Sequence, residues 1–222
     1  MLRVKAIAPL YLVPEEVVRR QHRYDRLAAG NAQVTLFNLG EDAPRQLNTP
    51  EDIVESEKAV WEEIARTDAG QFDVILPDCV LDPGVGEVGE SPVPLVGILR
   101  LAAGHLVSLG EPFAAVTRNR AIGDELRRKI VGYGLGTHLT SVELLDVDFC
   151  FVSDHSGWAA AMEPVCETVA KNGGTRLLNG CSAVEIPDRN LGGVVVVDPT
   201  ELAIQLLGTA ENAGLFRDSR KV

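Results

Sequence analysis

Cysteine is sparse: four among 222 residues, Cys79, Cys150, Cys166 and Cys181, with no two in a CxxC spacing. Neither a zinc ribbon nor a thioredoxin-type redox pair is signalled, and the four thiols are expected to be free in a reducing compartment. Basic charge is also short. Lys+Arg number 21 against 32 Asp+Glu, a net −11, so a nucleic acid would meet a repulsive mean field and is not an expected partner. Long apolar runs are missing: stretches such as Val194 to Val197 fall far below the roughly 20 residues a bilayer span requires. No membrane association is expected. The opening Met1-Leu-Arg-Val-Lys-Ala-Ile enters a strand-like pattern directly, without the separate basic, apolar and cleavage regions of a signal peptide, and a cytoplasmic location is expected. What is present is ordinary globular material, 45% hydrophobic and 24% charged, which argues against wholesale disorder and gives one or two domains with a sizeable core.

Short β-branched runs alternate with longer amphipathic segments, the order of parallel strands joined by crossover helices, so the fold class is α/β. Strands are expected at Val4 to Ala8, Gln33 to Asn38, Phe72 to Leu76 and Val93 to Ile98. Helices are expected at Glu15 to Ala29, after Pro14 and before Gly30, and from Pro50 through Ala65, where Ile53, Val54, Val60, Trp61 and Ile64 recur at helical spacing. A further helix is expected from Leu99 to Leu109. The order then repeats: strand Phe113 to Thr117, helix Ile122 to Tyr133, strand Leu139 to Leu145, helix Ser156 to Lys171, strands Arg176 to Leu178 and Val194 to Val197, and a last helix from about Thr200 to Ala213.

The two halves overlay. In each, a strand ends in a cysteine, Leu76-Pro-Asp-Cys79 in the first and Leu178-Asn-Gly-Cys181 in the second, followed by a loop and another strand; the second loop contains Pro187. Two similar lobes are therefore expected. In parallel sheets the ligand crevice lies beyond the carboxyl ends of the strands, where Cys79 and Cys181 both fall. If the lobes face each other, the two sulfurs approach one cleft from opposite sides. Inverting a stereocentre needs a base on one face of the carbon and an acid on the other, and a thiolate/thiol pair meets that need symmetrically. Gly84, Gly86 and Gly180 suit loops whose N–H groups approach an anionic ligand.

These blocks resemble the aspartate/glutamate/hydantoin racemase superfamily, in its hydantoin racemase-like branch. Phe72-Asp-Val-Ile-Leu-Pro-Asp-Cys79-Val-Leu-Asp82-Pro83-Gly84 with Val93-Pro-Leu-Val-Gly97-Ile is similar to that branch's first cysteine block. Phe113-Ala-Ala-Val-Thr117-Arg118 and Tyr133-Gly134-Leu135 resemble the opening of its second lobe, and Leu178-Asn-Gly180-Cys181 its second cysteine block. The resemblance implies two lobes related by a pseudo-twofold axis, each a four-stranded parallel sheet flanked by helices. The first would span residues 1–99, joined by the C-terminal segment 206–222, and the second residues 100–205. It implies a cofactor-independent racemase or isomerase of a small hydantoin-like or amino-acid-like carbon acid, with Cys79 and Cys181 as the acid/base pair. It places Thr117, Arg118, Val80 and Ser182 against the substrate, and suggests an even-numbered homo-oligomer. Where that branch has a polar loop after its first strand, this chain has Ala8-Pro9-Leu10-Tyr11, so the substrate's polar end is expected to be met differently.

Other residues carry plainer readings. Cys150 and Cys166 read as packing thiols. His22, in the run Arg19-Arg-Gln-His-Arg23, reads as a solvated helix face, and His105 and His138 as packing or capping residues. His155 sits at a strand-to-helix turn where Asp154 or Ser156 suits an N-cap. Asp82 belongs to a turn signal. Asp78 adds a carboxylate beside Cys79, which opposes a thiolate unless it points away. Glu185 places an acid four residues after Cys181. Tyr11 and Trp158 suit either a pocket wall or the core, and no ligand spacing favours a metal. Two alternatives stay open: a single-cysteine nucleophile in a cis-trans isomerase or a hydrolase opening a lactam or imide ring, and a non-catalytic binding protein on the same scaffold.

Overall fold

A computed structural model describes residues 1–86, 90–186 and 188–216; Pro187 and residues 217–222, included in the expectations above, lie outside them. Two sheets form. The first has strand order β2-β1-β3, from β1 (Leu2–Ile7), β2 (Ala32–Phe37) and β3 (Val74–Pro77), all parallel. The second has the order β5-β4-β6-β8-β7, from β4 (Phe113–Thr117), β5 (Leu139–Leu144), β6 (Arg176–Asn179), β7 (Asn190–Leu191) and β8 (Val194–Val197). Its pairs are parallel except β7 with β8. The helices are α1 (Pro14–Leu27), α2 (Pro50–Ala65), α3 (Ile98–Ser108), α4 (Arg120–Gly132), α5 (His155–Lys171) and α6 (Pro199–Asn212).

Strand counts of three and five replace the expected four and four. The run Val93 to Ile98 pairs with β3 only through a bridge of Leu95 to Ile75. Pro92 and Pro94 have no N–H to donate, and Gly97 already serves as the N-cap of α3, so no longer ladder can form. The additional strand β7 comes from Asn190-Leu-Gly-Gly-Val194. Gly192 and Gly193 have φ of 59° and 86°, the two positive values that a tight hairpin turn needs.

The period of two along β1 sorts its two faces. Leu2, Val4 and Ala6 enter a core cluster that continues into the second sheet through Phe113, Ala115 and Leu178. Ile7 packs on the other side with Val60 and Ile64 of α2. Lys5, on that same face, donates to Glu63 and Thr67. A separate cluster fills the far side of the second sheet, where Trp158, Met162, Cys166 and Val169 of α5 cover Ala114, Val116, Val194 and Val196. Trp158 therefore fills core. The last helix, α6, packs on α3 and α1, and Ala203, Ile204 and Leu207 join the core of the first sheet.

Helix starts follow local chemistry. Thr49 and Asp52 form a reciprocal capping box on α2, Asn119 caps α4, Asp154 caps α5 and Asp198 caps α6. The first turn of α3 has no cap of its own, because Gly97 has no side chain. Asp82 serves it from a distance, its carboxylate accepting from the N–H groups of Leu99 (2.9 Å) and Arg100 (2.8 Å). A Cβ on Gly97 would collide with that carboxylate. Gly97→Ala is accordingly expected to lower stability by about 2 kcal/mol, read as a fall in the urea midpoint.

Candidate active site

All eight described strands except β7 run parallel within their sheets, so the loops after β1, β3, β4 and β6 gather at strand carboxyl ends. Together they line one cavity of about 60 Å³. Pro9 and Leu10 come from the loop after β1, Cys79, Val80 and Leu81 from that after β3, Arg118 from that after β4, and Gly180 to Ala183 from that after β6. Leu47, Ile122, Phe149 and Val152 complete an apolar wall, and Arg20 of α1 reaches it from the side. These last contributors come from helix faces and loops that carry no sequence motif. Cys79 and Cys181 thus share one small chamber, with Cys79 buried and Cys181 half-buried.

Five of the six residues proposed from sequence line the cavity: Cys79, Cys181, Val80, Arg118 and Ser182. Thr117 lies beneath it, fully buried, with its hydroxyl 3.4 Å from the Gly180 carbonyl oxygen. Gly180 is required for close approach. Its N–H donates to the Val116 carbonyl at 2.6 Å, and a Cβ there would lie 2.5 Å from the same oxygen. Gly84 has another role than anion binding: its N–H meets Glu57 at 3.3 Å, and its φ of 78° sets the turn. Arg118 spends Nη2 on the Leu47 carbonyl and the Asn48 side chain, both at 2.7 Å, and lies 5.5 Å over the Phe149 ring.

Each cysteine loop is gripped by a helix of the opposite half. From α1, Arg19 donates to the Ala183 carbonyl at 2.9 Å, Arg23 to the Ser182 carbonyl and to Asp198 (2.6 Å), and Arg26 to Glu185 (2.8 Å). These three arginines and Arg20 share one helix face. The run read as a solvated face is so only in part: His22 is exposed, whereas Arg20 and Arg23 are buried in the seam. From α4, Tyr133, the residue that ends it, donates to Asp82 at 3.0 Å, and Lys129 pairs with Glu57 at 2.8 Å. Sequence periodicity missed Arg20, Arg23 and Lys129 because it assigns cations outward.

Asp78 is almost fully buried and points away from the cavity. It accepts from Arg20 (2.9 Å) and Tyr24 (2.7 Å), while its backbone carbonyl takes the Ser182 hydroxyl at 3.0 Å. Glu185 pairs with Arg26, and His155 sits 3.1 Å from Arg19, so neither enters the chamber. Burial, helped by the Arg19 charge, lowers the His155 pKa. Tyr11 stacks under Arg45 instead of walling the cavity. Among the described residues no three His, Cys, Asp or Glu side chains gather as metal ligands, and no helix is long and apolar enough to cross a membrane.

Burial dominates the cysteine electrostatics. It pushes the Cys79 thiol up to about 12; the Leu81 N–H, 3.4 Å from Sγ, opposes this, and the carboxylates of Asp78 and Asp82 reinforce it. Burial also raises Cys181, against the N–H groups of Ala183 and Val184 and the charges of Arg20 and Arg23. Arg118 is lowered by burial. Asp82 is raised by burial from 3.8 to about 6, although the N–H groups of Leu99 and Arg100, the Tyr133 hydroxyl and the Lys129 charge work the other way. A carboxyl raised in the folded state favours folding below about 3.8, and that contribution is lost as pH rises through about 6. Asp82→Asn keeps an acceptor for the α3 N–H groups and removes the titration. Between pH 4 and pH 7 the wild type should therefore lose up to about 3 kcal/mol relative to Asp82→Asn, measured by urea unfolding of both at each pH.

A model of the Asp/Glu/Hydantoin racemase family matches residues 17–207. No curated protein matches the sequence. Among solved structures, the allantoin racemase of Klebsiella pneumoniae superposes with a TM-score of 0.79 at 20% identity, over 96% of this chain and 89% of that one. The allantoin racemase from Pseudomonas fluorescens gives 0.79 at 15%, over 96% and 92%. The aspartate racemase of Picrophilus torridus gives 0.64 at 15%, over the full length of both. At these identities the likeness establishes a common fold.

Proposed function

Because the chain belongs to the Asp/Glu/hydantoin racemase family, we propose that it racemises a small carbon acid by proton transfer between Cys79 and Cys181. The observation that carries this reading is that two thiols, one after β3 and one after β6, line the same chamber. One sulfur, as thiolate, removes the proton from the stereocentre. The electron pair left on carbon delocalises onto the adjacent carbonyl oxygen, where Arg118 is placed to meet the growing negative charge. The other sulfur delivers its proton to the opposite face. The product is the mirror image and the two sulfurs have exchanged protonation states, so the reaction as written balances with these two groups.

The walls favour a hydantoin-like substrate over a zwitterionic amino acid. Among the lining residues there is no carboxylate, while Arg20 and Arg118 are both present. A free ammonium group would leave water for two guanidinium neighbours and no acid, a costly exchange. A neutral or anionic ring with an apolar substituent instead meets Leu10, Leu47, Ile122, Phe149 and Val152.

The test is deuterium wash-in across chiral 5-substituted hydantoins, amino acids and small diacids. Deuterium should enter the stereocentre of a hydantoin bearing an apolar 5-substituent, and Cys79→Ser and Cys181→Ser should each lower racemisation at least about 100-fold. Loss confined to one variant, with a mass adduct in the wild type on the thiol which that variant lacks, would replace this reading with single-nucleophile chemistry. Binding that survives both changes without any exchange would mark a binding protein.

A further inference from the structure

The segment that roofs the chamber is stitched to the second half at two adjacent residues. Arg118, almost wholly buried, donates from Nη2 to the Leu47 carbonyl and to Asn48 Oδ1, both at 2.7 Å. Asn119 caps α4 through Oδ1 and donates from Nδ2 to the same Leu47 carbonyl at 2.9 Å. On the other side the start of α2 fixes the backbone of Asn48. Asp52 Oδ2 accepts from the N–H groups of Asn48 (2.8 Å) and Thr49 (2.9 Å), and the Thr49 hydroxyl accepts from the Asp52 N–H at 3.1 Å. Asn48 is exposed and does not line the chamber. Arg118 does line it, and among the described residues no acceptor meets its Nε or Nη1.

We propose that Asn48 is a positioning residue: from outside the chamber its side-chain oxygen sets the plane of the Arg118 guanidinium, so that Nε and Nη1 are presented to the ligand. A guanidinium is planar, and Nη2 carries two hydrogens. Held by one acceptor it can pivot about that bond; held by two it cannot. Leu47 supplies the first acceptor from the backbone and Asn48 the second from a side chain whose own backbone is pinned by the α2 cap. The capping box thus serves the site as well as the helix. The catalytic meaning rests on the racemase reading, in which Arg118 meets charge that grows on the substrate oxygen. A donor turned away from that oxygen lowers kcat more than it raises KM, because the contact strengthens only as the charge develops.

The experiment compares wild type, Asn48→Leu, Asn48→His and Arg118→Gln as full-length proteins. On a hydantoin with an apolar 5-substituent, Asn48→Leu should lower kcat about tenfold and leave KM within about twofold. The imidazole of Asn48→His places Nδ1 where Oδ1 stood, so at pH 8, neutral and accepting, it should restore most of kcat. At pH 5.5, below the ordinary histidine value of about 6.5, it becomes a donor and the rescue should vanish relative to wild type at the same pH. A second readout needs no turnover: the rate of alkylation of Cys79 and Cys181 by anionic iodoacetate divided by that with neutral iodoacetamide, followed by peptide mass spectrometry. Thiol ionisation cancels in this ratio, which reads the cation facing the chamber. It should fall in Arg118→Gln and by at least about threefold in Asn48→Leu. A fall in Arg118→Gln alone, kcat unchanged in Asn48→Leu, no rescue by Asn48→His, or no alkylation of either thiol would overturn the assignment. The expected ratios without deuterium exchange on any substrate would overturn the racemase reading alone, and brisk exchange with an unchanged ratio in Asn48→Leu would overturn this assignment alone.

Discussion

Charge cannot be left unpaired in the seam between the two halves, and the molecule is built around that restriction. Arg20, Arg23, Lys129, Asp78 and Asp82 all have almost no contact with solvent. Each is tolerable there only because its partner is in place, since an isolated buried ion costs several kcal/mol. The partners are reciprocal. Helix α1, which follows the first strand of one sheet, holds the loop carrying Cys181; helix α4, which follows the first strand of the other, holds the loop carrying Cys79 and Asp82. Neither cysteine loop owes its position to its own half alone. The distance between the two thiols is thus set by fixed ion pairs and hydrogen bonds, the kind of support that precise proton transfer requires.

Within that frame the chamber combines an apolar wall with a few strongly placed polar groups. Arg118 is anchored through one nitrogen to the Leu47 carbonyl and Asn48, and Asn119 reaches the same carbonyl at 2.9 Å. The second half thereby ties down the segment of the first that roofs the cavity. The Arg118 guanidinium is thus oriented in advance, and an anion bound there under the proposed reading would require little further ordering of it.

Much of this arrangement was legible in the sequence, for identifiable reasons. Parallel strands announce themselves by short β-branched runs, and their carboxyl ends locate ligand groups, so Cys79 and Cys181 could be paired before any coordinates. Helix starts at Pro14 and Pro50 were equally local, resting on proline at the first turn. What stayed hidden depended on distant partners. The arginines of α1 look like a wet face until the second half is laid against them. Asp82 reads correctly as a turn residue, but its service to α3 arises across 17 residues. The β7 hairpin carries a clear Gly-Gly mark, whereas the run around Leu95 looks like a strand because its β-branched residues mask the effect of two prolines, and it forms only a bridge. Phe149, Val152 and Leu47 had no pattern to give them away.

The return of α6 to the first half has a consequence for biosynthesis. Ala203, Ile204 and Leu207 supply part of the apolar cover for elements translated well before them. The ribosome releases β1 to α3 long before their cover exists, so the early half emerges with an uncapped greasy surface and waits while the later half is threaded out. Such long-range closure slows folding and lengthens exposure to aggregation. A polypeptide halted shortly before α6 would hold every proposed proton-transfer group and still lack the piece that closes its oldest part.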